Sequence, residues 1–483
     1  MSLMRDEAAR ALRRLVLGLG VSLGGTAMVV CGAAGVQALP VERPEPSQDA
    51  RWDDDVAVHP PVTPSAPAEM PGPAMSSVEA GSAGSGDDEE LAPGSVIADS
   101  SGFALDAFYQ ALSAVERERE PGRIARLAWY GDSHTATDVM TGHVRRRLQE
   151  RFGDAGHGFI AAGNPWPSYR HLDIRSGSRG RWTESRIRNA ASRGESDGLL
   201  GLAGAGVQTE HSGSLVWVST ALEGPIGGSA SRFELFYLAR PGGGRIGVFL
   251  DDAHVAELST QAAEPTPGYH VVQAEDGPHD LRIEALGGGP VRLFGTVVER
   301  SGPGVVVDSL GINGARITAM LAWDESVFVD NLARRSPDLV VLWYGANSVG
   351  DDWYEVEQYE QWVIDAASRV RRAVPGASCL VVGPPDMARA TLADHGPEGT
   401  PPNIHRIIAA ERDAAELAGC GFFDLFEAMG GEGSTLRWAD HEPSLVSGDG
   451  IHFSAPGYRE LADLFLDALM AGYEQYLESN PEG

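Results

Sequence analysis

The chain has 483 residues and a formal net charge of −30, because 68 acidic side chains outnumber 38 basic ones. A nucleic-acid-binding protein is not expected, since the phosphate backbone would repel so acidic a chain. Every basic residue is arginine, which excludes enzyme classes that depend on a lysine, such as Schiff-base and P-loop enzymes. The length allows about two to four domains, and 42% hydrophobic residues suffice to fill their cores.

Residues 1–39 have the pattern of an export segment. Four arginines precede an apolar run from Leu15 to Leu39, as in a signal peptide or a signal anchor. A small-x-small cleavage site lies at Val36-Gln37-Ala38, and the run is also long enough to span a bilayer uncleaved. We therefore expect an exported protein that is periplasmic, anchored to the cell envelope or secreted, with membrane contact only through this segment.

Residues 40–98 have the composition of a disordered linker. The stretch from Pro40 to Ile97 holds ten prolines and twelve acidic residues against two arginines, so it carries a third of the net charge. A polar, proline-rich segment of this kind cannot bury enough apolar surface to fold. It would act as a tether between the export segment and a globular region.

Apolar runs alternate with helical patterns in residues 99–164 and again in residues 304–478. In the first part, the run Arg126–Tyr130 is followed by a turn and an amphipathic helix over Val139–Phe152. In the second part, the runs VVVDSL, LVVLWYG, CLVVG and FFDLF are separated by helical stretches. This alternation predicts an α/β domain with a parallel sheet covered on both faces.

Residues 165–303 separate these two parts and differ from them in composition and hydrophobic pattern. They are rich in Gly, Ser and Arg and contain short alternating runs, among them SLVWVST, RFELFYLA, RIGVFLD, YHVVQAE and VRLFGTVVE. Alternation with period two is typical of antiparallel strands. We therefore expect a β-rich insertion between the first and second strands of the α/β domain.

Ser133 lies in the turn Gly131-Asp132-Ser133, directly after the first predicted strand and before a helix. Open α/β sheets bind ligands at the carboxyl ends of their strands, where helix N-termini favour negative charge. The position suits a nucleophilic serine. A serine that merely caps the helix explains the same pattern.

A histidine base needs a carboxylate to orient it, and an Asp three residues before a His can supply both from one turn. Four such pairs occur, at Asp154/His157, Asp251/His254, Asp276/His279 and Asp449/His452. Only the last follows the final predicted parallel strand and enters the last helix, so it should reach the rim that carries Ser133. We expect the other three to be surface pairs.

Two further turns follow predicted strands and could donate hydrogen bonds to an oxyanion. Gly311-Ile312-Asn313-Gly314 ends the second parallel strand, and Gly345-Ala346-Asn347 ends the third. A glycine N–H allows close approach of a substrate, and an Asn amide is a directed donor. Both residue types are also ordinary turn residues.

These four motifs stand in the order and approximate spacing of the four blocks of the SGNH, or GDSL-like, hydrolases, which the chain resembles over residues 124–161 and 305–476. The resemblance implies a three-layer α/β/α, flavodoxin-like fold with a central parallel sheet, interrupted by the antiparallel, sandwich-like insertion. It implies Ser133 as nucleophile, His452 as base and acid, and Asp449 as its orienting partner. The oxyanion hole would consist of the N–H groups of Ser133 and Gly314 and the Asn347 side chain.

The run GDSHTATD, followed by a helix, RFGDAGHGF, the β insertion and LGINGA, more narrowly resembles the peptidoglycan and exopolysaccharide O-acetylesterase branch. In those relatives the insertion resembles a carbohydrate-binding module. The chain departs from the wider family at Ser348, where an Asp usually follows the Asn and braces the loop. Four aromatic residues of the insertion could stack on sugars, although aromatics in a sandwich are core residues more often: Trp166, Tyr169, Trp182 and Trp217.

The sequence shows no metal site and no cofactor motif. His134, His143 and His157 lack the spacing of metal ligands, and we expect them to be surface or loop histidines. Cys379 opens the fourth predicted strand and Cys420 precedes the fifth. If those strands are neighbours, the two cysteines would come within disulfide reach in an oxidising compartment.

These observations favour an exported carboxylic-ester hydrolase that removes small acyl groups, above all acetyl, from a cell-envelope or extracellular polysaccharide or peptidoglycan. A lipase or thioesterase of the same superfamily is the nearest alternative. A surface protein that binds carbohydrate without catalysis is the third. The sequence leaves the glycan, the acyl group and the oligomeric state open.

Overall fold

The computed structural model describes residues 96–117, 122–191, 196–221, 226–388 and 399–481. The predicted export segment and almost all of the predicted linker lie outside these ranges. Within them, no helix is both long enough and apolar enough to cross a membrane.

The described strands are, in chain order, β1 (Ile124–Gly131), β2 (Gly156–Ala161), β3 (Ile174–Arg179), β4 (Thr183–Arg186), β5 (Ala205–Thr209), β6 (Leu215–Thr220), β7 (Ala230–Ala239), β8 (Arg245–Leu250), β9 (Ala253–Ser259), β10 (Thr266–Gly277), β11 (Asp280–Gly287), β12 (Val291–Glu299), β13 (Gly304–Gly311), β14 (Leu339–Trp343), β15 (Ser378–Val382) and β16 (Gly421–Phe423). The described α-helices are α1 (Asp106–Glu116), α2 (Ser133–Ala136), α3 (Val139–Phe152), α4 (Glu325–Arg335), α5 (Val356–Ala373), α6 (Ile404–Ala418), α7 (Leu425–Ala428), α8 (Ser434–Ala439) and α9 (Ala455–Ser479). Short 3₁₀ turns lie at Ile317–Leu321 and Ala346–Ser348.

Five strands form a parallel sheet in the order β13-β1-β14-β15-β16. The first strand along the chain thus lies second in the sheet, which is the flavodoxin-like order. The apolar runs form these strands, and every residue of β13, β14 and β15 is buried, as a sheet covered on both faces requires. The predicted three-layer α/β/α fold with an inserted antiparallel module is confirmed.

Alternate residues of each parallel strand enter two different cores. Leu127 and Trp129 of β1 face a core that includes residues of α1, α3 and α9. Ala128 and Tyr130 face the opposite core, which includes residues of α4, α5 and α6 together with part of the insertion. The helices that flank the loops with the predicted catalytic residues are therefore fixed by burial on both faces of the sheet.

The insertion consists of two antiparallel sheets. One has the order β10-β7-β12-β5-β4, with β2 also paired to β12, and the other has the order β3-β6-β11-β8-β9. Ile160, Phe233 and Ile246 lie in a separate apolar core of the insertion. Since β2 pairs with β12, the antiparallel sheet already begins at Gly156, before the predicted boundary at residue 165. The run GHGFIA is buried at every position, so it lacks the alternation that would have placed it in the insertion.

Buried ion pairs join the insertion to the parallel sheet. Arg335 donates its Nε–H to Asp308 of β13 and its Nη1–H to Glu299 of β12, each at 2.6 Å. Burial alone would raise the pKa of Glu299, but Arg335 and Arg126 together lower it to about 2. Glu299 is therefore held as a carboxylate, and its partners lie on both sides of the boundary between the modules.

The structure joins Cys379 and Cys420 in a disulfide whose Cα atoms are 4.7 Å apart. Cys379 lies in β15, and Cys420 comes directly before β16, which pairs with β15. The two strands are neighbours, as the predicted disulfide requires. The disulfide lies toward the amino ends of the strands, at the edge of the sheet opposite to the predicted catalytic turns.

Candidate active site

The predicted catalytic turns meet at the carboxyl edge of the parallel sheet. Gly131 ends β1 and pairs in register with Gly311, which ends β13. A methyl group on Gly131 would lie 2.2 Å from the hydroxyl oxygen of Thr135, and one on Gly311 would lie 2.3 Å from the Ala136 nitrogen. Only glycine fits at either strand end, and this close approach packs the helix that begins at Ser133 against β13.

Ser133, His452 and Asp449 form a continuous hydrogen-bonded chain. The Ser133 Oγ is 2.9 Å from the His452 Nε2, and the His452 Nδ1 is 2.6 Å from an oxygen of Asp449. The other Asp449 oxygen accepts the backbone N–H groups of Ile451 and His452, both at 2.9 Å. A serine hydroxyl on one imidazole nitrogen and a carboxylate on the other is the arrangement that activates serine for nucleophilic attack.

The opposite charges of Asp449 and His452 shift their pKa values in opposite directions. Burial alone would raise the pKa of Asp449, but hydrogen bonds and the charge of His452 hold it well below its usual range. Burial alone would lower the pKa of His452, but the hydrogen bond and charge of Asp449, with the charge of Asp132, raise it above its usual value. Asp449 thus stays ionised, and its charge favours the protonated imidazolium of His452.

The buried carboxylate of Asp132 braces the loop that carries Asn347. It accepts the Asn347 Nδ2–H at 2.9 Å and the backbone N–H of His134 at 3.0 Å. Burial raises the pKa of Asp132 to about 6. Asp132 therefore holds the Asn347 side chain in place, a role that its sequence motif did not indicate.

The three donors predicted for the oxyanion lie on the loops at this edge of the sheet. Asn347 Nδ2 also donates to the carbonyl of Ala315, the residue after Gly314, at 3.2 Å. Both of its N–H groups thus have acceptors, and one must leave the Ala315 carbonyl to reach an oxyanion. Among the described residues, the backbone N–H groups of Ser133 and Gly314 have no hydrogen-bond acceptor. Gly314 has a positive φ of +71°, and the space beside its Cα is open except for Arg188. Free amide donors at this position suit a developing oxyanion.

The expectation that His134 and His157 are surface or loop residues is wrong. Their side chains are buried, with 1% and 3% exposure. The His134 ring lies 5.3 Å from the His452 ring and 5.4 Å from Trp343, and its Nδ1 is 3.1 Å from the Tyr458 hydroxyl. Burial lowers the pKa of His134 to about 3, so this ring is a neutral packing partner of His452. No three His, Cys, Asp or Glu side chains in the described ranges converge to hold a metal ion.

The other three Asp–His spacings do not form pairs like Asp449/His452. Asp251 bonds to His279 at 2.7 Å rather than to His254. Asp154 and Asp276 both bind Arg300. The prediction that these are surface pairs is therefore wrong, because residues far apart in sequence replace the local partner.

Two of the four aromatic residues considered for sugar stacking belong to the core. Trp166 and Tyr169 have exposures of 2% and 4%, whereas Trp182 and Trp217 are half-buried. Trp166 donates its indole N–H to Asn313 at 2.9 Å, which fixes the loop that leads to Gly314. Trp166 therefore stabilises the loop that carries Gly314 and is not available to stack on a sugar.

Comparison with known proteins agrees with this fold. The model of the GDSL-like Lipase/Acylhydrolase family matches residues 275–460, which include Gly314, Asn347, Asp449 and His452 but begin after Ser133. A solved structure of a peptidoglycan O-acetylesterase is 25% identical and has a TM-score of 0.63, covering 78% of this chain and 99% of that one. No curated protein matches the chain by sequence.

Two other solved structures match less well. A family two carbohydrate esterase from Clostridium thermocellum in complex with cellohexaose is 12% identical with a TM-score of 0.26, covering 56% of this chain and 96% of that one. The lipase/acylhydrolase from Enterococcus faecalis is 19% identical with a TM-score of 0.26, covering 35% and 77%. These TM-scores are too low to bear on function.

The chain has the fold of the SGNH, or GDSL-like, hydrolases, a class of enzymes that act on esters. Within that class it resembles the peptidoglycan O-acetylesterase branch.

Proposed function

We propose that this protein is an exported serine esterase that removes O-acetyl groups from a cell-envelope or extracellular polysaccharide. The observation that carries the proposal is the hydrogen-bonded chain from Ser133 through His452 to Asp449. Similarity to a peptidoglycan O-acetylesterase over nearly the whole length of that protein supports a glycan substrate. The apolar N-terminal segment and the disulfide support export to an oxidising compartment.

In the first half of the proposed reaction, His452 accepts the proton of the Ser133 hydroxyl as Oγ attacks the ester carbonyl carbon. The carbonyl π electrons move to oxygen, which becomes an oxyanion facing the N–H groups of Ser133 and Gly314 and one N–H of Asn347, which gives up its bond to the Ala315 carbonyl. The C–O bond to the glycan then breaks, and the imidazolium returns its proton to the departing sugar oxygen. Ser133 is left as its acetyl ester.

In the second half, a water molecule takes the place of the sugar hydroxyl. His452 accepts a proton from the water, whose oxygen attacks the acetyl carbonyl, and a second oxyanion forms in the same place. Its collapse breaks the bond to Oγ, which regains the proton from His452, and acetate leaves. Asp449 stays ionised throughout and stabilises the imidazolium in both halves.

Ester hydrolysis by purified protein tests this proposal. We expect release of p-nitrophenol from p-nitrophenyl acetate in preference to a long-chain ester, and release of acetate from O-acetylated peptidoglycan or polysaccharide. The Ser133→Ala variant should lose both activities by several orders of magnitude. Ser212→Ala, which alters an exposed serine in the turn between β5 and β6, is the matched control and should keep them.

Three outcomes would contradict the proposal in different ways. Hydrolysis that persists in Ser133→Ala would exclude the serine mechanism. A preference for the long-chain ester would indicate a lipase. Sugar binding without hydrolysis of any ester would indicate a carbohydrate-binding protein.

A further inference from the structure

Two stretches of the insertion contact the loops that carry the predicted catalytic residues. In the segment between β2 and β3, Trp166 and Ser168 both donate to Asn313. In the segment after β4, the carbonyl of Arg188 accepts the backbone N–H of Arg316 at 2.8 Å. The insertion therefore forms part of the wall of the active site.

The segment that carries Arg188 is fixed on both sides. Ile187 is fully buried in the core beneath the parallel sheet, and the Ala190 N–H donates to the Thr318 hydroxyl at 3.3 Å. A methyl group built on Gly314 would meet only the Arg188 Cδ within 4 Å, at 3.8 Å. The aliphatic part of Arg188 thus runs beside the glycine that is predicted to bind the oxyanion.

Arg188 differs from the neighbouring arginines in having no ion pair with another described residue. Arg186 pairs with Glu184 at 2.9 Å and stacks on Trp166 with its guanidinium carbon 4.8 Å from the ring centre. Arg316 binds Asp351 through two hydrogen bonds of 2.7 and 2.8 Å. Arg188 is exposed, and its guanidinium has no hydrogen-bond or ion-pair partner among the described residues.

We propose that Arg188 determines substrate specificity by binding a carboxylate on the glycan next to the acetylated hydroxyl. This inference rests on the proposed esterase function. A guanidinium binds a carboxylate in a planar, two-bond geometry and stays charged at any working pH. The acetyl group carries no charge, so the anionic group must belong to the sugar or to its substituents. In a chain with a net charge of −30, an exposed cation at this position offsets the repulsion of an acidic polymer.

Steady-state kinetics on matched substrates test the inference. The substrates are p-nitrophenyl acetate, an O-acetylated glycan with free carboxylates, and the same glycan with its carboxylates converted to amides. We expect the wild-type enzyme to prefer the charged glycan. In Arg188→Ala the KM for that glycan should rise about tenfold or more with little change in kcat, the preference for charge should disappear, and the loss on p-nitrophenyl acetate should be far smaller.

Arg179→Ala is the matched control, because Arg179 is an exposed arginine of the insertion on β3 and, within the described ranges, forms no hydrogen bond or ion pair with the loops that carry the predicted catalytic residues. It should leave all three activities unchanged. Arg188→Lys keeps the charge but not the two-bond geometry, so it should restore part of the preference. Two charged substrates distinguish the source of the carboxylate: an O-acetylated uronic acid polymer, and peptidoglycan, whose carboxylates lie on its lactyl and peptide substituents.

Equal losses on the charged glycan and on p-nitrophenyl acetate would overturn the inference, because they would show a general role in folding or oxyanion binding. A wild-type enzyme that hydrolyses charged and amidated glycans equally would also overturn it, while leaving the proposed esterase function intact. A wild-type protein that hydrolyses none of the esters would instead refute the esterase function itself.

Discussion

Replacing Asp449 with Asn should inactivate the enzyme by reversing the protonation of His452. In the native protein, one Asp449 oxygen accepts two backbone N–H groups and the other accepts the His452 Nδ1–H. The two backbone donors will hold the Asn oxygen, which leaves the Asn NH₂ group facing Nδ1. Nδ1 must then become an acceptor, so the imidazole proton moves to Nε2, which can no longer accept the Ser133 proton.

The expected loss follows from both changes. The wrong tautomer removes the general base, and the neutral amide no longer stabilises the imidazolium. Together they should lower kcat about 10³- to 10⁴-fold, or roughly 4 to 5.5 kcal/mol at about 1.4 kcal/mol for each factor of ten. The KM should change little, because Asp449 contacts no substrate atom.

The assay is the hydrolysis of p-nitrophenyl acetate by Asp449→Asn, with thermal unfolding measured in parallel. The matched control is Asp467→Asn, at an exposed position of α9, which should keep wild-type activity. A properly folded Asp449→Asn variant that keeps a tenth or more of the wild-type kcat would refute the orienting role of Asp449.

Three further experiments test the other contacts of the site and of the fold. Since the pKa of His452 is raised and only the neutral imidazole can act as a base, kcat/KM should increase with pH through a pKa above about 6.5. Asn347→Ala should lower kcat about 10²- to 10³-fold through the loss of an oxyanion donor, and the loss of its hydrogen bond should raise the pKa of Asp132 above about 6. Arg335→Leu should reduce the free energy of unfolding by about 3 kcal/mol in denaturant titrations, because it removes the guanidinium that pairs with the buried Asp308 carboxylate and one of the arginines that pair with Glu299.

Each of these predictions has a result that contradicts it. If kcat/KM instead increases with pH through a pKa well below 6.5, Asp449 does not raise the pKa of His452. A change confined to KM in Asn347→Ala would indicate that this residue binds the ground state only. An unchanged unfolding free energy in Arg335→Leu would show that the ion pairs between the modules contribute no net stability.

The sequence alone predicts the parts of the site that follow strand ends. Apolar runs that end in Gly-rich turns mark the carboxyl edge of a parallel sheet, so these runs place Ser133, Gly314 and Asn347 on one rim. Asp449 and His452 join them because they come after the last strand. A helical stretch is predicted between the runs VVVDSL and LVVLWYG, but its bounds are not. Helix α4 begins after Asp324, a typical capping residue that accepts the backbone N–H groups of Ser326 and Val327.

Contacts between distant segments could not be predicted. The polar neighbours of His134 in sequence favour a surface or loop position, yet helix α2 turns its ring toward Trp343 and Tyr458. The role of Asp132 depends on Asn347, which is more than two hundred residues away. Arg188 lies in a different module from Gly314, and only the folded chain brings the two together.

The most direct test of the proposed serine mechanism is to identify the residue that a fluorophosphonate ester labels, since such reagents react with activated serines. We predict that mass spectrometry will find one phosphonyl group on Ser133, in proportion to the loss of esterase activity. The Ser133→Ala and His452→Ala variants should not be labelled. Complete inactivation with the label on another residue, or with no label on Ser133, would contradict the mechanism.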